Sequence, residues 1–262
     1  MLVETRFEEP VATITLNRPD KRNALDGALM RDLAAALDGV RDDPRVRVIV
    51  LRGRGPVFSS GIDHHLLLEV FQKSETAPFK HLHHDLQEVF HRIERMERPV
   101  IAALHGCCVG MAFELALACD FRLATADCVL GLPEIAFGIV PDVGGTTRLV
   151  RLVGLQHARS LLLTGHLVGA PRGLAIGLVD EVVEGTAALD AAVTALVGRL
   201  AAHPAAAVGK MKTLLHASLE VDAQTSFQLE GLVQEVLLRQ PDLASHFPQA
   251  LAFIREGMRN PG

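Results

Sequence analysis

The feature of the sequence that most constrains its fold is a change of hydrophobic pattern near residue 185. Before that point, short apolar runs such as residues 11–16, 46–51 and 100–104 alternate with segments whose apolar residues recur at helical spacing. After it, the apolar residues follow helical spacing alone. Because strands that alternate with helices are typical of a sheet covered by helices, we predict an α/β core followed by a helical C-terminal region.

Composition and charge exclude several classes of protein. Hydrophobic residues make up 49% of the 262-residue chain and charged residues 22%, which is far from the composition of a disordered chain. With a net charge of −5 and neither Trp nor Tyr, the chain lacks a basic excess and a stacking platform, so we expect no nucleic-acid partner. No uncharged apolar run of about 18 residues is present and the N-terminus lacks an apolar signal core, so we expect no membrane partner and a cytoplasmic location.

The four cysteines predict no disulfide framework and no metal site. They lie in apolar segments, contain no CxxC pair, and are expected to be buried and reduced: Cys107, Cys108, Cys119 and Cys128.

Residues 99–120 carry the first segment with chemical potential. An apolar strand runs into a glycine turn at residues 105–110, and a helix then opens near Met111. The first N–H groups of a helix lack partners within the helix and carry partial positive charge, so they can stabilise an oxyanion. Glu114 falls in the first turn among apolar neighbours, where burial would raise its pKa as a general acid or base needs. The alternative is a glutamate that only complements the helix dipole.

Two further segments are weaker signals when taken alone. In residues 131–145, Glu134 follows a proline, and Asp142 comes eight residues later, before a Gly-Gly pair. In residues 58–63, Phe-Ser-Ser-Gly-Ile-Asp, a tight glycine loop can aim the Ile62 N–H at a ligand. Solvated or capping carboxylates and an ordinary turn would account for the same patterns.

Taken together and in order, these segments resemble the enoyl-CoA hydratase/isomerase (crotonase) family. The resemblance runs over most of the chain and rests on six pieces with matching spacing. They are Asn-Arg-Pro with Asn-Ala-Leu at residues 17–25, residues 58–63, residues 98–120, residues 132–154, Leu-Thr-Gly at 163–165 and Gly-Leu-Val at 177–179.

The resemblance implies a crotonase-like spiral of ββα units over residues 1–200, which would carry the acyl-CoA site. It also implies that residues 201–262 form a helical region that mediates trimer contacts, with trimers often paired into hexamers.

The resemblance also implies roles for single residues. The backbone N–H groups of Ile62 and Met111 would form the oxyanion hole, Glu114 would act mainly on a water, and Glu134 mainly on the Cα proton. No metal and no cofactor beyond the coenzyme A thioester substrate would be needed. Further contacts with the substrate or its CoA part are expected at Ala24, Ser60, Gly61, Asp63, Gly110, Pro133 and Gly138.

The sequence departs from the family pattern at two positions. Met111 stands where the family commonly continues a glycine run, which leaves the N–H donor but adds a side chain near the thioester. Asp142 stands where typical hydratases have a small residue and where dienoyl-CoA isomerases have an aspartate, although those isomerases usually also carry Asp at the position of Glu114.

We therefore expect an enoyl-CoA hydratase, with an enoyl-CoA or 3,5-2,4-dienoyl-CoA isomerase that uses Glu134 and Asp142 as the second reading. Thioester hydrolysis and retro-Claisen cleavage stay open. A non-catalytic acyl-CoA-binding protein and an RNA-binding member are remote alternatives, because both glutamates are retained and no basic patch is evident.

One histidine pattern could suggest a metal. His84, Glu88 and His91 share a helix face at spacing i, i+4 and i+7, and zinc accepts such ligands. We expect instead a solvated or pocket-lining face and no metal.

Overall fold

The computed structural model of the chain describes residues 1–73 and 79–259. By contact density the chain divides into two compact units, the first spanning Met1–Ala201 and the second beginning at Ala202.

The strands form two sheets within the first unit. One has six strands in the order β1-β2-β3-β4-β6-β9, with β1 antiparallel to β2 and every other pair parallel. The other has three strands in the order β5-β7-β8. In the described residues the strands are β1 (Val3–Glu8), β2 (Val11–Leu16), β3 (Val48–Gly53), β4 (Val100–Leu104), β5 (Cys107–Val109), β6 (Phe121–Thr125), β7 (Val129–Gly131), β8 (Val168–Gly169) and β9 (Glu181–Val183).

The helices cover the sheets in the first unit and continue alone in the second. Within the same described ranges they are α1 (Gly27–Arg41), α2 (His64–Lys73), α3 (Phe79–Arg95), α4 (Met111–Leu117), α5 (Gly145–Thr164), α6 (Ala170–Ala175), α7 (Gly185–Ala201), α8 (Ala205–Ala217), α9 (Ala223–Leu238) and α10 (Phe247–Arg259). The alternation up to residue 185 and the helices beyond it confirm the predicted α/β class with a helical C-terminal region.

The order of the elements produces a spiral of ββα turns. β4 lies in the large sheet, β5 in the small one, and α4 follows; β6, β7 and α5 repeat the arrangement. Two isolated parallel bridges, Leu25 with Ile62 and Ser59 with Cys108, extend the second layer to the earlier turns. The predicted crotonase-like spiral is therefore confirmed, and its turns bring residues 59–62 and 107–111 side by side.

The middle strands are buried on both faces, which explains their continuous apolar sequences. Val48 and Val50 of β3 pack in a cluster with Leu189 and Val193 of α7, whereas Ile49 and Leu51 face the main core. β2 alternates instead, with its even-numbered residues in the core and its threonines half-buried on the other face.

Helix α1 shows how local sequence sets the boundaries of these elements. The Asp26 side chain accepts a hydrogen bond of 2.8 Å from the Leu29 N–H and so caps the first turn. Leu29, Leu33 and Leu37 recur every four residues and are buried. The strands expected at residues 11–16 and 100–104 are confirmed.

The expected turn at residues 105–110 is wrong in its middle. Cys107–Val109 form strand β5, which pairs in parallel with Val129–Gly131. A strand of three residues is too short to show a hydrophobic period, and its partner lies about twenty residues away, so neither signal was available locally.

The second unit has few buried residues and many exposed apolar ones. On α10, Phe247, Leu251, Ile254 and Met258 recur at helical spacing, and each side chain is more than half exposed. Such a stripe on a helix ordinarily packs against another surface.

In the described residues, no single helix is both long and apolar enough to cross a membrane. Only α7 and α8, taken together across a bend, meet those two criteria. The apolar residues of α7 that pack on the sheet are Leu189, Val193, Leu196 and Val197.

Candidate active site

Two backbone loops meet at the centre of the candidate site. Ser59 N–H donates to the Cys107 carbonyl at 3.1 Å, beside the bridge between Ser59 and Cys108. Gly61 has φ of +90°, and a Cβ there would lie 2.5 Å from the Val109 oxygen and 3.6 Å from the Met111 nitrogen. The approach is therefore possible only for glycine, and it puts the Ile62 and Met111 segments next to each other.

The N–H groups of Ile62 and Met111 are free to donate to a ligand. In the Leu25–Ile62 bridge, the bonds run from Leu25 N–H to the Gly61 oxygen and from Asp63 N–H to the Leu25 oxygen. Met111 is the first residue of α4, preceded by Gly110 with φ of +57°. Across the described residues, neither N–H has a protein acceptor, so both can serve as oxyanion donors.

A buried polar hub holds the first loop in shape. The Asn23 side chain, fully buried, donates to the carbonyls of Arg54, Val57 and Phe58 at 2.8, 3.0 and 3.1 Å. The Asn23 carbonyl accepts from the Ser59 hydroxyl at 2.7 Å. The hydrogen bonds of Asn23 thus fix the loop that carries the Ile62 N–H.

Glu114 lies in the first turn of α4 with only 1% of its surface exposed. Its Oε1 accepts hydrogen bonds from Val143 N–H at 3.1 Å and Gly145 N–H at 2.8 Å. Burial raises the pKa of Glu114 to about 8, helped by the charges of Glu134 and Asp142 and opposed by the two N–H bonds. Such a carboxyl exchanges protons near neutral pH.

Glu134 reaches the same place from a 3-10 helix, Glu134–Phe137. A Cβ on Gly110 would lie 3.2 Å from its Oε1, so the side chain lies beside the start of α4. Burial raises the pKa of Glu134, with a further contribution from the charge of Asp142. Among the described side chains, its Oε2 is buried without a hydrogen-bond partner, a costly state that is typical of functional sites.

Asp142 completes a group of three acidic side chains. It is half-buried, and burial raises the pKa of its carboxyl, while His83 acts in the opposite direction. The structure therefore brings the three predicted catalytic carboxyls within electrostatic reach of one another. Within residues 1–73 and 79–259, no cluster of three or more His, Cys, Asp or Glu side chains has the geometry of a metal site.

Comparison with known proteins agrees with this geometry. The family model described as enoyl-CoA hydratase/isomerase matches residues 6–246. The chain belongs to the enoyl-CoA hydratase/isomerase family. A relative named crotonyl-CoA hydratase, from Syntrophomonas wolfei, is 36% identical over 225 residues, which cover 86% of this chain and 85% of the relative.

Solved structures of the enoyl-CoA hydratase/isomerase family share the fold. An enoyl-CoA hydratase from Bacillus anthracis is 29% identical with a TM-score of 0.87, over 95% of this chain and 97% of the other. A Thermobifida fusca protein solved in complex with CoA is 37% identical with a TM-score of 0.80, over 90% and 93% of the two chains. The chain described here is an enzyme of this family.

The substrate contacts that the family resemblance implied divide into two groups. Gly61 and Gly110 line the two donor loops, Pro133 precedes the Glu134 helix, and Gly138 ends that helix with φ of +73°. Ala24 and Ser60 lie in the hydrogen-bonded framework of the first loop, with Ser60 N–H donating to the Arg22 carbonyl at 3.0 Å.

The seventh of the expected contact residues, Asp63, is buried and hydrogen-bonded within the protein. Its side chain is buried, and its carboxylate accepts from Arg18 Nη1 at 2.6 Å and from His65 N–H at 2.9 Å. Burial alone would raise the pKa of Asp63, but the hydrogen bonds from Arg18 and His65 outweigh it and hold the pKa below its usual range. Asp63 thus anchors the loop after Ile62 and opens α2.

Sequence reasoning missed the residues that support the loop at residues 142–145. His83 and Gln87 of α3 bond the Asp142 carbonyl, and the Arg148 guanidinium bridges Glu94 of α3 to the Val143 carbonyl. The three α3 residues each lie more than fifty residues from their partners in sequence. Only the helical spacing of His83, Gln87 and Glu94 on α3 gave a signal, and it is equally typical of a solvated helix face.

Proposed function

We propose that the protein is an enoyl-CoA hydratase that adds water in the syn sense to a 2-enoyl-CoA thioester. One observation carries the proposal: the buried Glu114 and the half-buried Glu134, each with a raised pKa, share a site with two N–H groups that are free to donate. The name of the Syntrophomonas wolfei relative and the CoA bound to the Thermobifida fusca protein support the substrate class.

The reaction starts at the thioester carbonyl. Its oxygen accepts hydrogen bonds from Ile62 N–H and Met111 N–H, and attack at Cβ moves negative charge onto that oxygen. Two fixed donors stabilise the developing charge without reorganising, and the loss of one costs about 3 kcal/mol in comparable oxyanion holes. Met111 keeps the donor that a glycine would supply, and its own side chain is buried.

The two glutamates move the protons. Glu114, as a carboxylate, takes a proton from the water whose oxygen bonds to Cβ, and Glu134, as a carboxylic acid, gives a proton to Cα. The product gains H and OH, Glu114 ends protonated and Glu134 ionised, and one proton passed between them restores the starting state. Because their charges interact, the pair titrates jointly and the division of roles is that of a coupled pair. The chemistry needs no metal or redox cofactor.

The test follows the loss of enoyl-thioester absorbance with crotonyl-CoA. Wild type should hydrate the substrate. Glu114→Gln and Glu134→Gln should each lower kcat at least about a hundredfold, because glutamine is similar in size to glutamate but cannot accept and return the proton. Glu184→Gln, an exposed glutamate of the first unit, is the matched control and should keep full activity. Full activity in both site variants would overturn the two-glutamate mechanism.

Asp142 supports double-bond isomerisation as a second candidate. Its half-buried carboxyl also has a raised pKa and interacts electrostatically with Glu134, so the two could move a proton along a dienoyl chain. If wild type shifts the bonds of a 3,5-dienoyl-CoA, leaves crotonyl-CoA unchanged and loses the first activity in Asp142→Asn, the isomerase is the correct reading. Equal bond shifting of a 3,5-dienoyl-CoA by Asp142→Asn and wild type would exclude that role.

We also propose that the second unit mediates a homotrimer or a hexamer built from two trimers. The support is the exposed apolar stripe of α10, together with exposed Phe227 and Leu232 on α9. Apolar side chains at this density are usually covered in the assembled protein.

A further inference from the structure

We propose that His83 and Gln87 of α3 are positioning residues that hold the catalytic side chain of Glu114 through the peptide group joining Asp142 to Val143. The inference rests on the proposed role of Glu114 in hydration.

The carbonyl of that peptide group has two donors on one face of α3. His83 Nε2 lies 2.6 Å from the Asp142 oxygen, and Gln87 Nε2 lies 3.0 Å from it. Residues four apart on a helix project in the same direction, so both donors approach from the same side. Because a carbonyl oxygen can only accept, His83 Nε2 must carry a hydrogen, which is the case in the Nε2–H tautomer of the neutral ring and in the cationic ring.

The N–H of the same peptide group points the other way. Val143 N–H donates to Glu114 Oε1 at 3.1 Å. In a planar trans peptide the C=O and N–H are opposed, so fixing the oxygen from α3 also fixes the direction of the N–H. Donors on the carbonyl also polarise the peptide and strengthen its N–H as a donor. A displacement of α3 is thereby transmitted to the Glu114 carboxylate.

A second set of contacts holds the next peptide group, which joins Val143 to Gly144. Arg148 forms a two-point ion pair with Glu94 of α3, each N–O distance being 2.7 Å, and its Nη1 donates to the Val143 oxygen at 2.7 Å. Both ion-pair side chains are largely buried. Gly145 N–H then supplies the second bond to Glu114 Oε1. Helix α3 therefore holds two consecutive carbonyls of this loop, that of Asp142 directly and that of Val143 through Arg148. The loop in turn holds Glu114 through two N–H groups.

The groups around Glu114 determine what loss of this support would do. Glu134 and Asp142 face it with like charge, His83 faces Asp142 from α3, and Arg148 with Glu94 neutralise each other behind the loop. The Val143 N–H favours the ionised form of Glu114. Weakening that bond must move the pKa of Glu114 upward and leave the Gly145 N–H as the remaining bond to its Oε1.

The experiment compares His83→Ala, Gln87→Ala and the double variant with wild type. Two readouts are measured: kcat and KM for crotonyl-CoA, and the pKa of Glu114 from an infrared titration of its protonated C=O band, identified by its loss in Glu114→Gln. His83→Gln keeps an N–H donor and is the rescue variant. His84→Ala, an exposed neighbour on the same helix, is the matched control.

Each single alanine variant should lower kcat about tenfold with KM nearly unchanged, and the double variant about a hundredfold, because small displacements of a reacting group are costly. The pKa of Glu114 should rise in all three, return in His83→Gln, and stay at the wild-type value in His84→Ala. A double variant that folds with an unchanged Glu114 pKa would overturn the inference, and the single variants carry the same test if the double variant does not fold.

The two readouts separate this inference from the proposed function. If wild type fails to hydrate crotonyl-CoA, the hydratase proposal fails, but the infrared titration still decides whether α3 positions Glu114.

Discussion

Glu114 is held where burial and nearby carboxyls destabilise its negative charge. It is buried on a seven-residue helix beside two other carboxyls, and in the part of the chain that the structure describes two backbone N–H groups donate to it. Burial of this kind lowers the stability of the ionised fold and brings the pKa to about 8, in the range where a general base works at neutral pH. Glu134 lies in the same environment. The site therefore lowers the stability of the protein at two carboxyl groups whose raised pKa values favour proton transfer.

The raised pKa predicts how protein stability changes with pH. Burial raises the pKa of Glu114 from 4.5 to about 8, so the folded state holds a proton that the unfolded state has released between those values. The stabilisation from this group is complete below pH 4.5 and is lost as the pH rises through about 8. Glu114→Gln, which never ionises, should gain stability over wild type as the pH rises from 5 to 8, measured by urea denaturation. A difference that stays constant over that range would contradict the burial of this carboxyl.

Replacement of Gly61 by alanine, which adds a single methyl group, is expected to lower activity. A Cβ there would meet the Val109 oxygen at 2.5 Å, and φ of +90° is itself unfavourable for alanine. Gly61→Ala should push the two donor loops apart and lower kcat/KM about a hundredfold. Gly39→Ala in α1, where a Cβ meets nothing within 4 Å, is the control and should keep full activity. Equal activity of the two variants would show that the loops need no such contact.

Among the secondary-structure elements, those with a repeating hydrophobic pattern could be predicted from the sequence. The pairing of segments that are distant along the chain could not. α1 and the strands at residues 11–16 and 100–104 were predictable because their apolar residues follow one period and have clear boundary residues. Strands β5, β7 and β8 have two or three residues each, which is too few for a period. The same limit applied to the site: the roles expected for Glu114, Glu134 and Asp142 came from the family resemblance of local motifs, whereas the support from α3 depends on long-range contacts.

Asn23 links the end of β3 to the first donor loop, so its substitution is expected to lower the free energy of unfolding more than a surface substitution does. Asn23 satisfies three carbonyls from residues 54–58 while fully buried. Asn23→Ala leaves those carbonyls without this donor and should lower the free energy of unfolding by about 2–4 kcal/mol in urea denaturation. Asn17→Ala, which removes bonds at a half-exposed site, should cost less than about 1 kcal/mol. Similar losses in both variants would contradict the hub assigned to Asn23.

At the scale of the whole molecule, the two units differ in how they treat apolar side chains. The first buries them in two clusters around the large sheet, and the second leaves its helices with exposed Leu, Phe and Ile. A chain of this size does not ordinarily leave such a stripe in water. We propose that the exposed helices mediate assembly, while the residues proposed for chemistry all lie in the first unit.

The α10 stripe predicts the oligomeric state. Light scattering should give a mass three or six times the 28.3 kDa of one chain. Leu251→Glu combined with Ile254→Glu should yield monomers, because two charges in an apolar interface are costly to desolvate. Gln249→Glu combined with Ala252→Glu adds the same charge to the opposite face of α10 and should leave the assembly unchanged. Assembly that survives the first pair would place the interface elsewhere.

Hydration by Glu114 and Glu134 is tested by the product formed from crotonyl-CoA in D2O enriched in oxygen-18. Hydration should give a 3-hydroxyacyl-CoA with the labelled oxygen at Cβ and one deuterium at Cα on the same face, both seen by NMR and mass spectrometry. Deuterium incorporated without oxygen, together with a displaced double bond, would contradict hydration and assign the site to isomerisation.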